Sequence, residues 1–232
     1  MRIAVLHPGE MGAAVAACLG SRVIWAPEGR SAATAERARD LAPGDPLSAD
    51  VILSICPPHA AREVAASVSG FRGVYVDANA ISPARSKEVR ALVPHADFVD
   101  GGIIGPPPVA GGTTRLYLTG ERADEVAALF DGSVLETRIV GDASALKMAY
   151  AAWTKGSAAL LLAAHAVAEA YGVGDALDAE WGDLLARYEG ARESAARKGW
   201  RWVGEMEEIA DAFAAAGQPE GFHRAAAEVY RG

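Results

Sequence analysis

Directly after the apolar run Met1–Leu6 the chain reads His7-Pro8-Gly9-Glu10-Met11-Gly12-Ala13-Ala14. The spacing of Gly9 and Gly12 is the Gly-x-x-Gly half of a G-x-G-x-x-G turn, with His7 where the first glycine is expected. Gly9 lets the backbone approach a pyrophosphate, and Gly12 lets the following helix pack on its strand. The helix N-terminus, opened by Glu10 and Met11, supplies N–H donors and a favourable dipole. Half a motif is also what an ordinary strand–turn–helix displays, so the next strand decides. Arg22–Ala26 has no Asp or Glu at its end to hold a ribose diol, and Gly29-Arg30-Ser31 follows instead. A guanidinium beside a hydroxyl suits a 2′-phosphate, because Arg grips phosphate through paired, charge-assisted hydrogen bonds. The expected cofactor is therefore NADP ahead of NAD, with Glu28 keeping the diol-binding alternative open.

Two further places carry reactive groups. Cys56-Pro57-Pro58-His59 forms a rigid loop of the kind that lines a pocket. The Cys56 thiol has no adjacent base in sequence, which makes it a small buried residue rather than a nucleophile. Downstream, Lys147 is followed by Tyr150, Ala151 and Thr154 at i+3, i+4 and i+7, on one face of a helix. Taken alone, that lysine is a solvent-facing helix residue and Tyr150 a half-buried structural one. His165, further along the same helix, reads as a core or interface histidine. Cys18 and Cys56 make neither a disulfide framework nor a zinc spacing, so no metal is expected and a reducing cytoplasm fits.

The elements that must position these groups follow from pattern. Of the 232 residues, 51% are hydrophobic and 22% charged, enough for a sizeable globular core. Lys plus Arg total 22 against 30 for Asp plus Glu, a net charge of −8, which leaves no electrostatic footprint for nucleic acid or an anionic membrane. Met1–Leu6 runs straight into a strand pattern without a basic or long apolar leader, so no export signal is expected. The most apolar later stretch, Ala158–Ala168, contains His165, is too short to span a bilayer and reads as a buried helix.

Up to about Val140, β-rich runs (Arg2–Leu6, Arg22–Trp25, Val51–Ile55, Val74–Val76, Asp97–Val99, Leu116–Leu118) alternate with amphipathic ones. The latter are Met11–Leu19, Ala32–Leu41, His59–Ser67, Ser82–Leu92 and Ala123–Phe130. This predicts an α/β fold, a Rossmann-type doubly wound, mostly parallel sheet over residues 1–140, followed by a small all-α C-terminal domain over residues 141–232. The second domain opens with a helix from about Ala143 to Tyr171, about 29 residues or roughly 43 Å long. The helical remainder beyond Gly172 and Gly174, Asp175–Gly232, has fewer than 60 residues, too few for a sufficient core, so a homodimer joined through the C-terminal helices is expected. Leu160, Leu161, Val167, Trp181 and Phe213 are the apolar side chains left short of partners.

At this point the chain resembles the 6-phosphogluconate dehydrogenase-like, or β-hydroxyacid dehydrogenase, superfamily. Gly9-Glu10-Met11-Gly12 resembles the end of its G-x-G-x-M-G turn, and Gly29-Arg30-Ser31 its Asn-Arg-Thr phosphate-binding triplet. Asp77-Ala78-Asn79-Ala80-Ile81-Ser82-Pro83 is similar to the D-x-S-T-x-S-P loop. Phe98-Val99-Asp100-Gly101-Gly102-Ile103-Ile104-Gly105 is similar to the F-x-D-A-P-V-S-G substrate loop. Gly141-Asp142-Ala143-Ser144-Ala145-Leu146-Lys147 falls where the family has G-x-G-x-x-x-K, the catalytic lysine last. Each match is loose, while their order and separation are specific. Gly102–Pro107 and Glu205-Met206-Glu207-Glu208-Ile209 resemble a short subgroup with a reduced C-terminal domain.

The resemblance implies hydride transfer between a nicotinamide and a small hydroxyacid-like or carbonyl substrate, in a cleft between the two domains. Lys147 would be the general acid/base, with Tyr150 in reserve. It implies cofactor contacts from Gly9, Glu10, Met11, Gly12, Arg30, Ser31, Cys56, Pro57 and Asn79. Substrate contacts would come from Asn79, Gly102, Ile104, Gly105, Lys147 and Ala151. Three of these depart from the family: Ala151 stands where an Asn follows the lysine, Ile104 where a Ser meets a carboxylate, and Asn79 where the earlier loop has its Ser. Hydride chemistry is thus better supported than hydroxyacid specificity, and two rivals stay open. One is an imine or iminium reductase; the other is a non-catalytic NADP-binding regulatory dimer.

Overall fold

A computed structural model describes residues 1–232, the side chain of Ser21 excepted. The chain divides into two compact units, Met1–Lys147 and Met148–Gly232. In the first unit β1 (Ile3–Val5), α1 (Glu10–Leu19), β2 (Val23–Trp25), α2 (Ala32–Arg37), β3 (Ala42–Pro43), β4 (Val51–Ser54) and α3 (Ala61–Ala66) follow one another. They are succeeded by β5 (Val74–Asp77), α4 (Pro83–Leu92), β6 (Asp97–Ile104), β7 (Arg115–Thr119), α5 (Ala123–Ala128), β8 (Glu136–Ile139) and the start of α6 (Ala143–Ala170). Among the described residues the strands form one eight-stranded sheet in the order β3-β2-β1-β4-β5-β6-β7-β8. Every pairing is parallel except β6 with β7.

The first six strands lie in the doubly wound dinucleotide-binding order. From β1 the chain winds outward through β2 and β3, then returns to place β4 on the other side of β1. The switch point is therefore the β1–β4 boundary, where crossover connections leave in opposite directions and a crevice opens at the carboxyl ends. The inner strands carry near-continuous apolar runs because helices cover both faces. Along β1, Ile3 and Val5 join the core layer with Val15, Leu19, Val76 and Leu118. Ala4 and Leu6 join the opposite layer with Ile52, Phe71, Tyr75 and Val89.

The structure departs from the sequence expectation at the edges. β3 is two residues long and includes Pro43, and β8 reads Glu-Thr-Arg-Ile; neither has an apolar alternation. Both are edge strands, where charge and proline are tolerated because one side needs no partner. β8 pairs with β7 along a parallel backbone ladder, and across it Arg115 Nε also donates to Glu136 Oε2 at 2.7 Å. β6 runs five residues past its expected end at Val99, through Gly101 and Gly102, and turns back into antiparallel β7 without a helix. A glycine pair looks like a strand breaker, yet here it is what lets two neighbours approach. A Cβ on Gly101 would lie 3.0 Å from Asp77 O, and one on Gly102 would lie 2.8 Å from Ala143 O.

The second unit is helical: the remainder of α6, then α7 (Gly174–Trp181), α8 (Asp183–Ala215) and α9 (Gly221–Arg231). Its interior holds Met206, Ile209, Ala210, Ala226 and Ala227. Lys155 and Glu205 form an ion pair there, and Tyr230 Oη donates to Lys155 O at 2.6 Å while its ring meets Trp202 edge-on. His165 stacks on Tyr188 with centroids 4.1 Å apart, and its Nε2 lies 3.3 Å from Asp178 Oδ1. It is an engaged interior histidine of this unit. No helix of the described residues is long and apolar enough to cross a membrane.

Candidate cofactor and active site

The β1–α1 turn is built around two glycines with different duties. Gly12 is buried, and a Cβ on it would stand 2.5 Å from His7 O, so only glycine lets α1 cross this close to the end of β1. Gly9 caps α1 without help from a side chain, and a Cβ there would meet nothing within 4 Å. That open side is where an anion can approach the first turn of the helix. Met11 packs against the core layer of β1, and Glu10 is exposed.

His7, in the place of a third glycine, is hydrogen-bonded through Nε2 to Arg30 Nη1. A guanidinium only donates, so Nε2 accepts and the neutral ring carries its proton on Nδ1. Burial and the Arg30 charge lower the His7 pKa to about 4, which keeps that ring neutral near pH 7. His7 Nδ1 and Arg30 Nε are both buried without a hydrogen-bond partner. Ser31 caps α2, its Oγ accepting from Thr34 N at 3.3 Å, and stays exposed. A cavity of about 490 Å³, lined by Ala26, Pro27, Glu28 and Pro43–Pro46, opens on the same loop.

At the ends of β4 and β5 the groups are braced internally. Asn79 is 2% exposed; its Oδ1 accepts from Cys56 N at 2.6 Å and its Nδ2 donates to Ser54 Oγ at 3.1 Å. Its amide thus ties the Cys56-Pro57 loop to the sheet. Burial and the charge of Asp77 push the Cys56 thiol up to about 12, so it stays protonated. Asp77 Oδ1 accepts from Asn79 N at 2.9 Å while Oδ2 is buried without a partner.

Burial, reinforced by the charge of Asp100, raises the Asp77 pKa to about 7. In the unfolded chain it would be roughly 3.9. Stability from this group is therefore complete below about pH 4, falls as the unfolded chain ionises first, and is lost once pH passes 7. Asp77→Asn keeps an acceptor for Asn79 N–H but cannot ionise. Its melting temperature should gain on the parent's by several degrees between pH 4 and pH 8, at roughly 2–4 °C per kcal/mol. Parallel melting curves across that range would remove the assignment.

The start of α6 is fastened donor by donor. Ala143 N is satisfied by Thr119 Oγ1 at 3.0 Å, Ser144 N by Asp100 Oδ2 at 2.7 Å and Ala145 N by Asp142 Oδ1 at 2.7 Å. Ser144 Oγ and Ser86 Oγ also donate to Asp100 Oδ1, at 2.6 and 2.9 Å. A helix otherwise leaves these first N–H groups orphaned. So held, α6 brings Lys147 back onto β6: its Nζ donates to Ile103 O at 2.7 Å, and its Cβ would be 3.1 Å from a Cβ on Gly102. Ile104 is half-buried, and Gly105, at φ +127°, ends the strand where a Cβ would strike Thr114. Tyr150 is exposed and Ala151 buried on the next turn of the helix.

Two pairs of sequence candidates therefore meet, Asn79 with Cys56 and Gly102 with Lys147, while Arg30 meets His7, which sequence reasoning did not count among the cofactor contacts. A separate cleft of about 220 Å³, lined by Ser86, Arg90, Phe98, Asp100, Thr119 and Asp142 among others, includes none of Gly9, Arg30 or Lys147. Sequence reasoning missed Asp100, Ser144 and Thr119 as the fasteners of α6. Asp142 ahead of an apolar helix was a readable N-cap signal. Nothing local links Asp100 to a serine 44 positions later.

Residues 168–232 match a domain of unknown function, DUF1932. The chain is 31% identical over 134 residues to an uncharacterized 28.5 kDa protein in the 7S RNA 5′ region of Methanothermus fervidus. That match covers 56% of this chain and 52% of the relative, so the chain spans about half the length of the curated relative it matches. The solved structure of the conserved protein MTH1747, of unknown function and with structural similarity to 3-hydroxyacid dehydrogenases, is 29% identical. It superposes with a TM-score of 0.70 over 100% of this chain and 97% of that one. A 3-hydroxyisobutyrate dehydrogenase of Mycobacterium tuberculosis, solved with L-serine, shares the fold at 20% identity. Its TM-score is 0.66 over 100% of this chain and 93% of that one. By fold, the chain is similar to the 3-hydroxyacid dehydrogenases.

Proposed function

We propose that this chain is an NADP-dependent oxidoreductase acting on a small substrate, with Lys147 as its general acid/base. The observation that carries the reading is the hydrogen bond from Lys147 Nζ to Ile103 O, 2.7 Å, which holds the amine at the carboxyl end of β6. The residues present also fit a dinucleotide phosphate: an open Gly9, and two buried N–H donors on His7 and Arg30 without an acceptor. Gly9–Gly12 would hold the pyrophosphate and Arg30 with Ser31 the 2′-phosphate. When bound, the cofactor supplies or accepts the hydride. Lys147 gives a proton to the substrate heteroatom as that atom gains charge and takes it back in the reverse direction.

The apolar Ile104 and the internally engaged Asn79 amide favour a substrate without a carboxylate, which keeps C=N reduction as the second reading. The second unit exposes Trp153, Leu160, Val167 and Phe222, an apolar set uncommon on a monomer; we assign it to pairing with a second copy. A stable monomer by light scattering at micromolar concentration would overturn that part.

The test is a fluorescence titration with NADPH and NADH, then NADPH oxidation on a panel of carbonyl compounds and cyclic imines. NADPH should bind more tightly than NADH. Arg30→Ala should weaken NADPH roughly ten- to a hundred-fold, the worth of one charge-assisted contact. Equal NADPH affinity in parent and variant rejects the cofactor assignment. Tight binding with no turnover on any substrate would make the chain a binding protein instead.

A further inference from the structure

We infer that His7 is a specificity-determining residue for NADP over NAD, holding the Arg30 guanidinium in place and offering its own Nδ1–H to the cofactor's 2′-phosphate. The inference rests on the reading that this chain binds NADP(H). A glycine, which the turn motif would place here, has no side chain with which to reach another loop. His7 reaches across 23 positions to Arg30 on the loop after β2, the place from which dinucleotide folds read the 2′ position of the ribose.

The direction of that hydrogen bond decides the rest. Arg30 donates, His7 Nε2 accepts, and the proton of the neutral ring must sit on Nδ1. The two partnerless nitrogens of the pair, His7 Nδ1 and Arg30 Nε, are thus both donors. Two buried donors in want of acceptors describe a site for an oxyanion rather than a cation, and each unmet donor costs free energy that a phosphate oxygen recovers. A flexible Arg also loses rotamer freedom on gripping a phosphate, and an arginine already held by His7 loses less. The low pKa of His7 agrees, since a protonated Nε2 could not accept from Arg30.

Dissociation constants for NADPH and NADH, by fluorescence titration of the full chain, test the inference on the parent, His7→Gly, His7→Gln and Arg30→Ala. His7→Gly restores an ordinary glycine-rich turn. It should weaken NADPH about tenfold while leaving NADH within about twofold. His7→Gln, whose amide oxygen can replace Nε2 as acceptor but which lacks a donor at Nδ1, should fall between the parent and His7→Gly. Combining His7→Gly with Arg30→Ala should add little to Arg30→Ala alone, because the two side chains serve one phosphate. Equal weakening of both nucleotides would assign His7 to the pyrophosphate turn and overturn the inference, as would unchanged NADPH affinity. A parent that binds NADPH no better than NADH, or neither, would instead remove the NADP reading itself. Arg30→Ala separates the cases, because it reports on that reading whatever His7 does.

Discussion

Lys147→Ala is expected to lower kcat by about 10²–10⁴-fold, the usual contribution of a positioned proton donor, while NADPH affinity stays near the parent's. The side chain is half-buried and its amine donates to a backbone carbonyl, Ile103 O. Loss of that hydrogen bond should cost about 1 kcal/mol, and the melting curve should confirm a folded protein. Lys147→Arg should not rescue turnover, because a guanidinium does not readily give up its proton. Tyr150→Phe is the control. The phenol is 47% exposed, and its removal should matter little. A large loss at Tyr150 with a small one at Lys147 would move the proton role to the phenol and favour C=N reduction. Near-full activity in both variants would end the mechanism.

The second large effect is structural and reaches the same amine. Gly102→Ala would place a Cβ 2.8 Å from Ala143 O and 3.1 Å from the Lys147 Cβ. Neither neighbour is the far end of a flexible side chain. Ala143 is pinned through Thr119, and the residues after it through Asp100 and Asp142, so α6 cannot slide away cheaply. Overpacking of this kind costs about 1–3 kcal/mol, a melting temperature lower by roughly 2–12 °C. Turnover should fall further than stability suggests, because a catalytic group displaced by about 1 Å can lose on the order of 10²-fold. Gly141→Ala, near the same helix but with nothing within 4 Å of its Cβ, should change neither property. A Gly102→Ala protein as stable and active as the parent would contradict the close packing of β6 on α6.

What could be read along the chain was whatever repeats at short range. Apolar runs such as Ile3–Val5 and Val51–Ser54 announce strands covered on both faces. Ser82 and Pro83 announce the start of α4, where Ser82 Oγ does accept from Arg85 N. The Gly9–Gly12 spacing announces the tight crossing at β1. Edges escaped the reading because an edge strand owes its existence to the partner's hydrogen-bonding groups more than to its own side chains, as Glu136–Ile139 illustrates.

The succession of inner strands and helices along the chain, the glycine turn and the long helix after Val140 are local properties of sequence, set by periodicity, backbone freedom and capping within a few residues. Tertiary structure alone decided which distant groups would share a hydrogen bond. His7 finds Arg30, Asp100 finds Ser144, and Lys147 finds the carbonyl of Ile103, over separations of 23, 44 and 44 residues. The physical reason is that hydrogen bonds act over about 3 Å in space and are indifferent to distance along the chain. Glycine shows both sides of this: at Gly12 the spacing declared its duty, while at Gly102 only the approach of Ala143 O explains why no side chain fits.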